Sequence, residues 1–90
     1  MIIGNPPYSL AIEFVTKCLD LLGENGVLIF LLRTAFLESK SRYDFWQVNP
    51  LSGLYTLSKR PSFINGKTDA CSYSWFIWEK NNDKQTIKVI

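Results

Sequence analysis

Val27-Leu28-Ile29-Phe30-Leu31-Leu32 is an unbroken apolar run between Gly26 and Arg33. Its brevity and its flanking glycine predict a strand, and continuous apolarity predicts burial on both faces, as at the centre of a parallel sheet. Immediately upstream, Gly23-Glu24-Asn25-Gly26 reads as a turn. Before it, Leu10 to Leu22 has helical spacing, with Glu13, Thr16, Lys17, Asp20 and Glu24 on a polar face and Leu10, Phe14, Cys18, Leu21 and Leu22 opposite. Ser9 stands at the N-cap position, and Glu13 and Lys17 are spaced for an i,i+4 pair. Met1 to Gly4 is a short apolar strand. It stops at Asn5 because Pro6 and Pro7 lack N–H donors and the residue before a proline is pushed out of the helical region. Strand, helix and buried strand within about 30 residues form a βαβ unit.

Downstream, a second helix is predicted from Ser39 to Val48, ended by Asn49-Pro50, and a third strand from Leu54 to Ser58. Lys59 to Ala70, with Pro61 and Gly66, reads as a loop. Cys71 to Glu79 alternates Cys71, Tyr73, Trp75 and Ile77 with Ser72, Ser74, Phe76 and Trp78, which predicts a strand antiparallel to the third. Gln85 to Ile90 reads as a short edge strand. The fold class is therefore α/β, ordered β-α-β-α-β-β, with parallel strands closed by an antiparallel hairpin.

Ninety residues allow one small domain, and 47% hydrophobic with 14% aromatic content suits a packed core rather than a disordered segment. The chain has no His, which removes the commonest general base and metal ligand, and no metal is expected. Ser41, Ser58 and Ser72 lack the His partner of the usual nucleophilic serine. Cys18 and Cys71 suffice for neither a disulfide framework nor a four-ligand zinc site, and read as core residues of a reducing, cytoplasmic setting. No apolar run approaches the roughly 20 residues that span a bilayer, and no targeting segment is evident, so no membrane partner is expected. A net charge of +2 permits a polyanionic partner.

Chemistry concentrates in Asn5-Pro6-Pro7-Tyr8, placed where a buried strand ends. Ligands of open α/β sheets bind outside the carboxyl ends of the strands. The tetrapeptide suits methylation of a planar amino nitrogen, whose lone pair is delocalised and weakly nucleophilic. The Asn5 side-chain oxygen and the Pro6 carbonyl are acceptors that favour a pyramidal nitrogen and stabilise its developing positive charge. The prolines hold these oxygens in place, and Tyr8 offers a ring on which a planar substrate stacks. No titrating base is needed for the attack.

Asn5-Pro6-Pro7-Tyr8 after an apolar strand resembles the catalytic motif of class I S-adenosylmethionine-dependent amino-methyltransferases, whose best-known members methylate N6 of adenine in DNA. Leu31 to Glu38, Ser58 to Phe63, and Gly66 to Asp69 leading into Tyr73 to Glu79 are similar to segments of phage- and prophage-type adenine methyltransferases. The resemblance covers nearly the whole chain. It implies a partial Rossmann-like methyltransferase sheet comprising strands four to seven of seven, with the seventh running antiparallel between the fifth and sixth. It also implies Asn5, Pro6, Pro7 and Tyr8 as catalytic residues, Asn5 also touching the cofactor S-adenosylmethionine, and DNA as partner. The family's Gly-rich cofactor loop and ribose-binding acidic residue find no counterpart, since Gly4, Gly23, Gly26, Gly53 and Gly66 form no G-x-G pattern. The chain is accordingly expected to be the catalytic, C-terminal half of such an enzyme, inactive alone.

Arg33, Lys40, Arg42, Lys59, Arg60 and Lys67 are candidate phosphate contacts. Arg33 is expected on the rim of Asn5, and Lys59, Arg60 and Lys67 in the hairpin loop; Phe63 offers a wedge for base flipping, although a loop Phe more often packs back onto its own strand. Taken singly, each of these basic residues reads more readily as part of a solvated charged rim. Trp46, Trp75, Trp78 and Phe76 read as core and cross-strand packing. Similar enzymes with this tetrapeptide methylate RNA adenine or a protein glutamine, and the downstream segments favour DNA. Two non-catalytic readings stand beside this one: a remnant or subdomain that self-associates or pairs with a separately made N-terminal half through the edge of its first strand, and a small nucleic-acid binder using the basic loop.

Overall fold

The computed structural model describes residues 1–59, 62–64, 67–68, 72–82 and 84–90, with 62–64 and 67–68 described by their backbone. Strand β1 (Ile2–Gly4) leads through a 3-10 turn (Tyr8–Leu10) into helix α1 (Ala11–Leu21), and strand β2 (Val27–Arg33) follows. Two more 3-10 turns, Thr34–Leu37 and Lys40–Arg42, precede helix α2 (Tyr43–Val48) and strand β3 (Gly53–Thr56). Short strands β4 (Ser62–Ile64) and β5 (Lys67–Thr68) come next, then the long strand β6 (Tyr73–Glu79) and β7 (Thr86–Val89).

The main sheet has five strands in the order β1-β2-β6-β3-β7. β1 pairs parallel to β2 and β3 parallel to β7, while β6 runs antiparallel to both of its neighbours. The fold is thus α/β with a mixed sheet, and its antiparallel strand lies between two parallel ones, the arrangement that the resemblance implies. The β3–β6 pairing is antiparallel as predicted, and the tail forms the edge strand β7. The stretch expected to be a plain loop instead contains β4 and β5, paired antiparallel with an irregular register. Among the described residues, no helix is long and apolar enough to cross a membrane.

Burial along β2 corrects the expectation of two covered faces. Leu28, Phe30 and Leu32 are fully buried, whereas the intervening Val27, Ile29 and Leu31 are half-buried. The cause is topological. Both crossovers, β1-α1-β2 and β2-α2-β3, advance across the sheet in one direction, and crossovers of one hand then place their helices on one face. Ala11 and Val15 of α1 are buried in that core, with Ile12, Cys18, Leu19 and Leu22 of the same segment and Phe45 and Trp46 of α2 packed against it. The opposite face carries Ile29, Leu31, Trp75 and Ile77, with 61%-exposed Ile3 on the β1 edge. Trp75, half-buried, stands between Leu31 and Tyr55 in the ladder on this second face, so it meets the cross-strand part of its expectation and not the core part.

The local reading of α1 also shifts. Its buried stripe is centred on Ala11 and Val15, and Phe14 and Leu21 lie outside it at 42% and 67% exposure. Ser9 does not cap the helix, because the Tyr8–Leu10 turn occupies the entry and the Leu10 N–H donates to the Pro7 carbonyl at 3.0 Å. No Glu13–Lys17 ion pair forms among the described residues. Gly26 is required sterically: a Cβ there would lie 2.5 Å from Leu22 Cβ, so only glycine admits the turn that starts β2.

Aromatic rings fill the core above β6. The Trp46 and Trp78 rings stack at 6.1 Å and 3°, and Phe76 stacks on both. Trp78 Nε1 donates to the Asn49 carbonyl at 3.1 Å, whereas Trp46 Nε1 is buried without a partner among the described residues. Ring packing, rather than hydrogen bonding, therefore holds Trp46.

One-sided burial has a measurable consequence. Leu28→Ala is expected to cost about 2–5 kcal/mol. Ile29→Ala, the next residue on the uncovered face, is expected to cost about 1 kcal/mol. Urea denaturation of both variants checks this, and equal losses would mean that the second face is covered in solution.

Candidate functional site at the carboxyl edge of the sheet

β1, β2 and β3 point the same way, so their carboxyl ends define one edge. Asn5-Pro6-Pro7-Tyr8 leaves β1 at this edge, Arg33 closes β2 beside it, and Lys59 follows β3. Pro6 is buried, Asn5 and Pro7 are exposed, and Tyr8 is half-buried. The Asn5 side chain takes no hydrogen bond among the described residues. The Pro7 carbonyl is engaged by Leu10, and the Pro6 carbonyl is absent from the backbone bonds of this turn. The Asn5 side-chain oxygen and the Pro6 carbonyl thus have no hydrogen-bond partner among the described residues.

Tyr8 is held on several sides. Its ring meets Phe36 edge-on at 6.1 Å and 75°, and Phe36 is itself a fully buried member of the core. The Arg33 guanidinium carbon lies 5.2 Å from the Tyr8 ring centroid, and that of Arg42 lies 5.6 Å away. Such contacts are worth about 0.5–1 kcal/mol each at exposed sites. Arg33 comes to the rim as expected. Lys59 is exposed and the Lys67 backbone lies in β5, while Arg60 lies outside the described residues, as do the side chains of Lys67 and Phe63.

The end of β2 is anchored by hydroxyls. Ser74, fully buried in β6, lies 2.7 Å from Thr34 Oγ1 and 3.0 Å from Thr56 Oγ1, and Thr34 Oγ1 also meets Ser72 Oγ at 2.9 Å. The Thr34 N–H donates to the Ser72 carbonyl at 2.8 Å. This chain ties the segment that carries Arg33 and Phe36 to β6 and explains a small polar residue among aromatic neighbours. Alternation alone reads Ser74 as one more strand position. Its role depends on Thr34 and Thr56, both distant in sequence, and so leaves no local signal.

A second concavity, of about 860 Å³, opens between α1 and the α2–β3 connection, with Trp78 among its lining residues and Lys80 and Asn82 at its end. It contains none of the expected site residues. The rim, and not this groove, gathers the acceptors, the ring and the cations. Among the described residues no group of His, Cys, Asp or Glu is arranged to hold a metal.

No protein-family model matches the chain, and no curated protein matches it. Among solved structures, the chain is similar to the crystal structure of the M1.HpyAVI–SAM complex, at 16% identity and a TM-score of 0.48, with 97% of this chain and 54% of that chain covered. Against the crystal structure of M1.HpyAVI the identity is 15% and the TM-score 0.46, with 99% and 54% covered. The chain spans about half the length of these solved structures.

Ser74→Ala is expected to destabilise the chain by about 1–3 kcal/mol, because Thr34 and Thr56 each lose a buried partner. Urea denaturation measures the loss, and a neutral result would show that water replaces the Ser74 hydroxyl.

Proposed function

We propose that this chain carries the catalytic and target-facing part of an S-adenosylmethionine-dependent methyltransferase acting on the N6 amino group of a flipped adenine in DNA. The observation that supports the reading is the setting of Asn5-Pro6-Pro7-Tyr8. The tetrapeptide leaves a parallel strand at the carboxyl edge, with Asn5 exposed and Tyr8 braced by Phe36 and two guanidinium groups.

In this reading the adenine stacks on Tyr8, and its amino hydrogens bond to Asn5 Oδ1 and the Pro6 carbonyl. These acceptors strengthen as the nitrogen becomes pyramidal and positive, so they stabilise the transition state more than the ground state. Flipping the base out of the duplex is required because the amino group is otherwise paired. Arg33, Lys59, Arg60 and Lys67 are assigned to the DNA backbone.

When bound, S-adenosylmethionine supplies an electrophilic methyl group. This chain has no G-x-G loop to hold the methionine part, and its one assigned contact is Asn5. Cofactor binding is therefore assigned mainly to polypeptide beyond these residues, and the isolated chain is expected to bind the base without methylating it. The outer edge of β1, unpaired among the described residues, is the place for that polypeptide or a second copy to join the sheet.

The test is selectivity for the amino group. A short single-stranded oligonucleotide with one adenine is titrated into the isotope-labelled chain by NMR, beside the same strand with unsubstituted purine at that position. Adenine should bind about tenfold tighter, the worth of an amino group bonded to two acceptors. Asn5→Ala should remove most of the difference. Equal binding of the two strands would overturn the reading, and preferential binding of a glutamine peptide would redirect it to protein.

A further inference from the structure

Arg42 reaches the rim from outside the tetrapeptide. Ser39 caps the Lys40–Arg42 turn, accepting from the Ser41 N–H at 3.2 Å, and the Arg42 N–H donates to the Ser39 carbonyl at 3.1 Å. This turn projects the Arg42 side chain back over the core. Its guanidinium carbon lies 4.8 Å from the Phe36 ring centroid and 5.6 Å from that of Tyr8. Nη1 donates to the Phe36 and Glu38 carbonyls, each at 3.4 Å. The guanidinium is thus seated on a buried ring and two backbone oxygens while it touches the ring assigned to stack on the substrate.

The charge on this group is unbalanced. Arg42 is half-buried, and among the described residues no carboxylate pairs with it. Partial desolvation of a cation is costly unless an anion compensates it. Nη1 is occupied, but a guanidinium has five N–H donors in a planar fork, and that fork matches a phosphate. Arg33 approaches the same ring from the end of β2.

We infer that Arg42 is a positioning residue that orients Tyr8 and also forms the subsite for the phosphate next to the stacked base. The inference rests on the reading of Tyr8 as the substrate-stacking ring. Phosphate binding and ring orientation use different properties of the side chain. The first needs its charge, and the second needs its planar contact with Tyr8 and Phe36.

Deoxyadenosine and deoxyadenosine 5′-monophosphate, titrated separately into the labelled chain by NMR, separate the two roles. At low salt the wild-type chain should bind the nucleotide about tenfold tighter than the nucleoside, with the gain shrinking as salt rises. Arg42→Gln, which removes the charge while keeping an amide to reach the Phe36 and Glu38 carbonyls, should abolish the phosphate gain. Arg42→Lys, which keeps the charge and loses the planar contact, should retain most of the gain but shift the Tyr8 ring resonances toward free tyrosine. The amide spectrum of each variant reports whether the fold is intact. Equal weakening of both ligands by Arg42→Gln, or a wild-type chain that binds nucleoside and nucleotide alike, would overturn the assignment. Adenine selectivity without a phosphate gain refutes Arg42 alone. An Arg42-dependent gain without adenine selectivity keeps the anion subsite and refutes the base reading.

Discussion

The pairing of β2 with β6 is the constraint on which the rest of the molecule depends. The two strands are in register from Val27 opposite Glu79 to Arg33 opposite Tyr73. Because β6 lies between two parallel strands, it supplies the ladder that both β2 and β3 need on their inner edges. It also carries Phe76 and Trp78, on which α2 docks through Trp46. Separating β2 from β3 by one strand moves α1 and α2 apart, which opens the groove above Trp78. At the other end of β6, the Ser74 hydroxyl fixes Thr34 and with it the start of the turn that leads to Phe36 and Arg42. One strand therefore sets the core, the helix spacing and the position of the candidate site.

The chemistry proposed for the rim needs fixed dipoles more than titrating groups. Two oxygens and a ring, held by prolines and by a buried phenylalanine, are preorganised without His, and two guanidinium groups lie beside the ring. In the proposed reading, developing positive charge on a substrate nitrogen is met by the Asn5 and Pro6 oxygens rather than by the guanidinium groups beside Tyr8.

Much of this was legible in the chain. The apolar run at Val27, the alternation through Trp75 to Trp78 and the break at Asn5-Pro6 report local backbone states, and local patterns record such states well. Whether both faces of a strand are covered is a property of crossover direction, and an apolar run reads the same in either case. That is why the incomplete burial of Ile29 and Trp75 on the second face leaves no mark in the sequence pattern. The rotation of the α1 stripe has a similar source. Leu10, Phe14 and Leu21 are as apolar as Ala11 and Val15, and only the position of β2 beneath the helix decides which are buried. Ser9 stands at an N-cap position by spacing alone, and the 3-10 turn after Pro7 takes the helix entry instead. Arg42 stood in the sequence among several basic residues, and its approach to Tyr8 depends on the path of the chain through Phe36, which no spacing rule encodes.

The place of β6 in the chain also bears on the order in which the sheet is assembled. The strand that joins the two parallel pairs is synthesised after both β2 and β3. Synthesis of the segment between β2 and β6 takes seconds at roughly 5–20 residues per second. During that interval the Val27–Arg33 strand has only the short β1 as a partner, and its inner edge is open. Pairings of this sequence separation are slow, because loop closure precedes any gain in contacts. Nascent chains ending before Glu79 thus expose an apolar strand with high β propensity, the kind of surface that chaperones cover and that seeds aggregation.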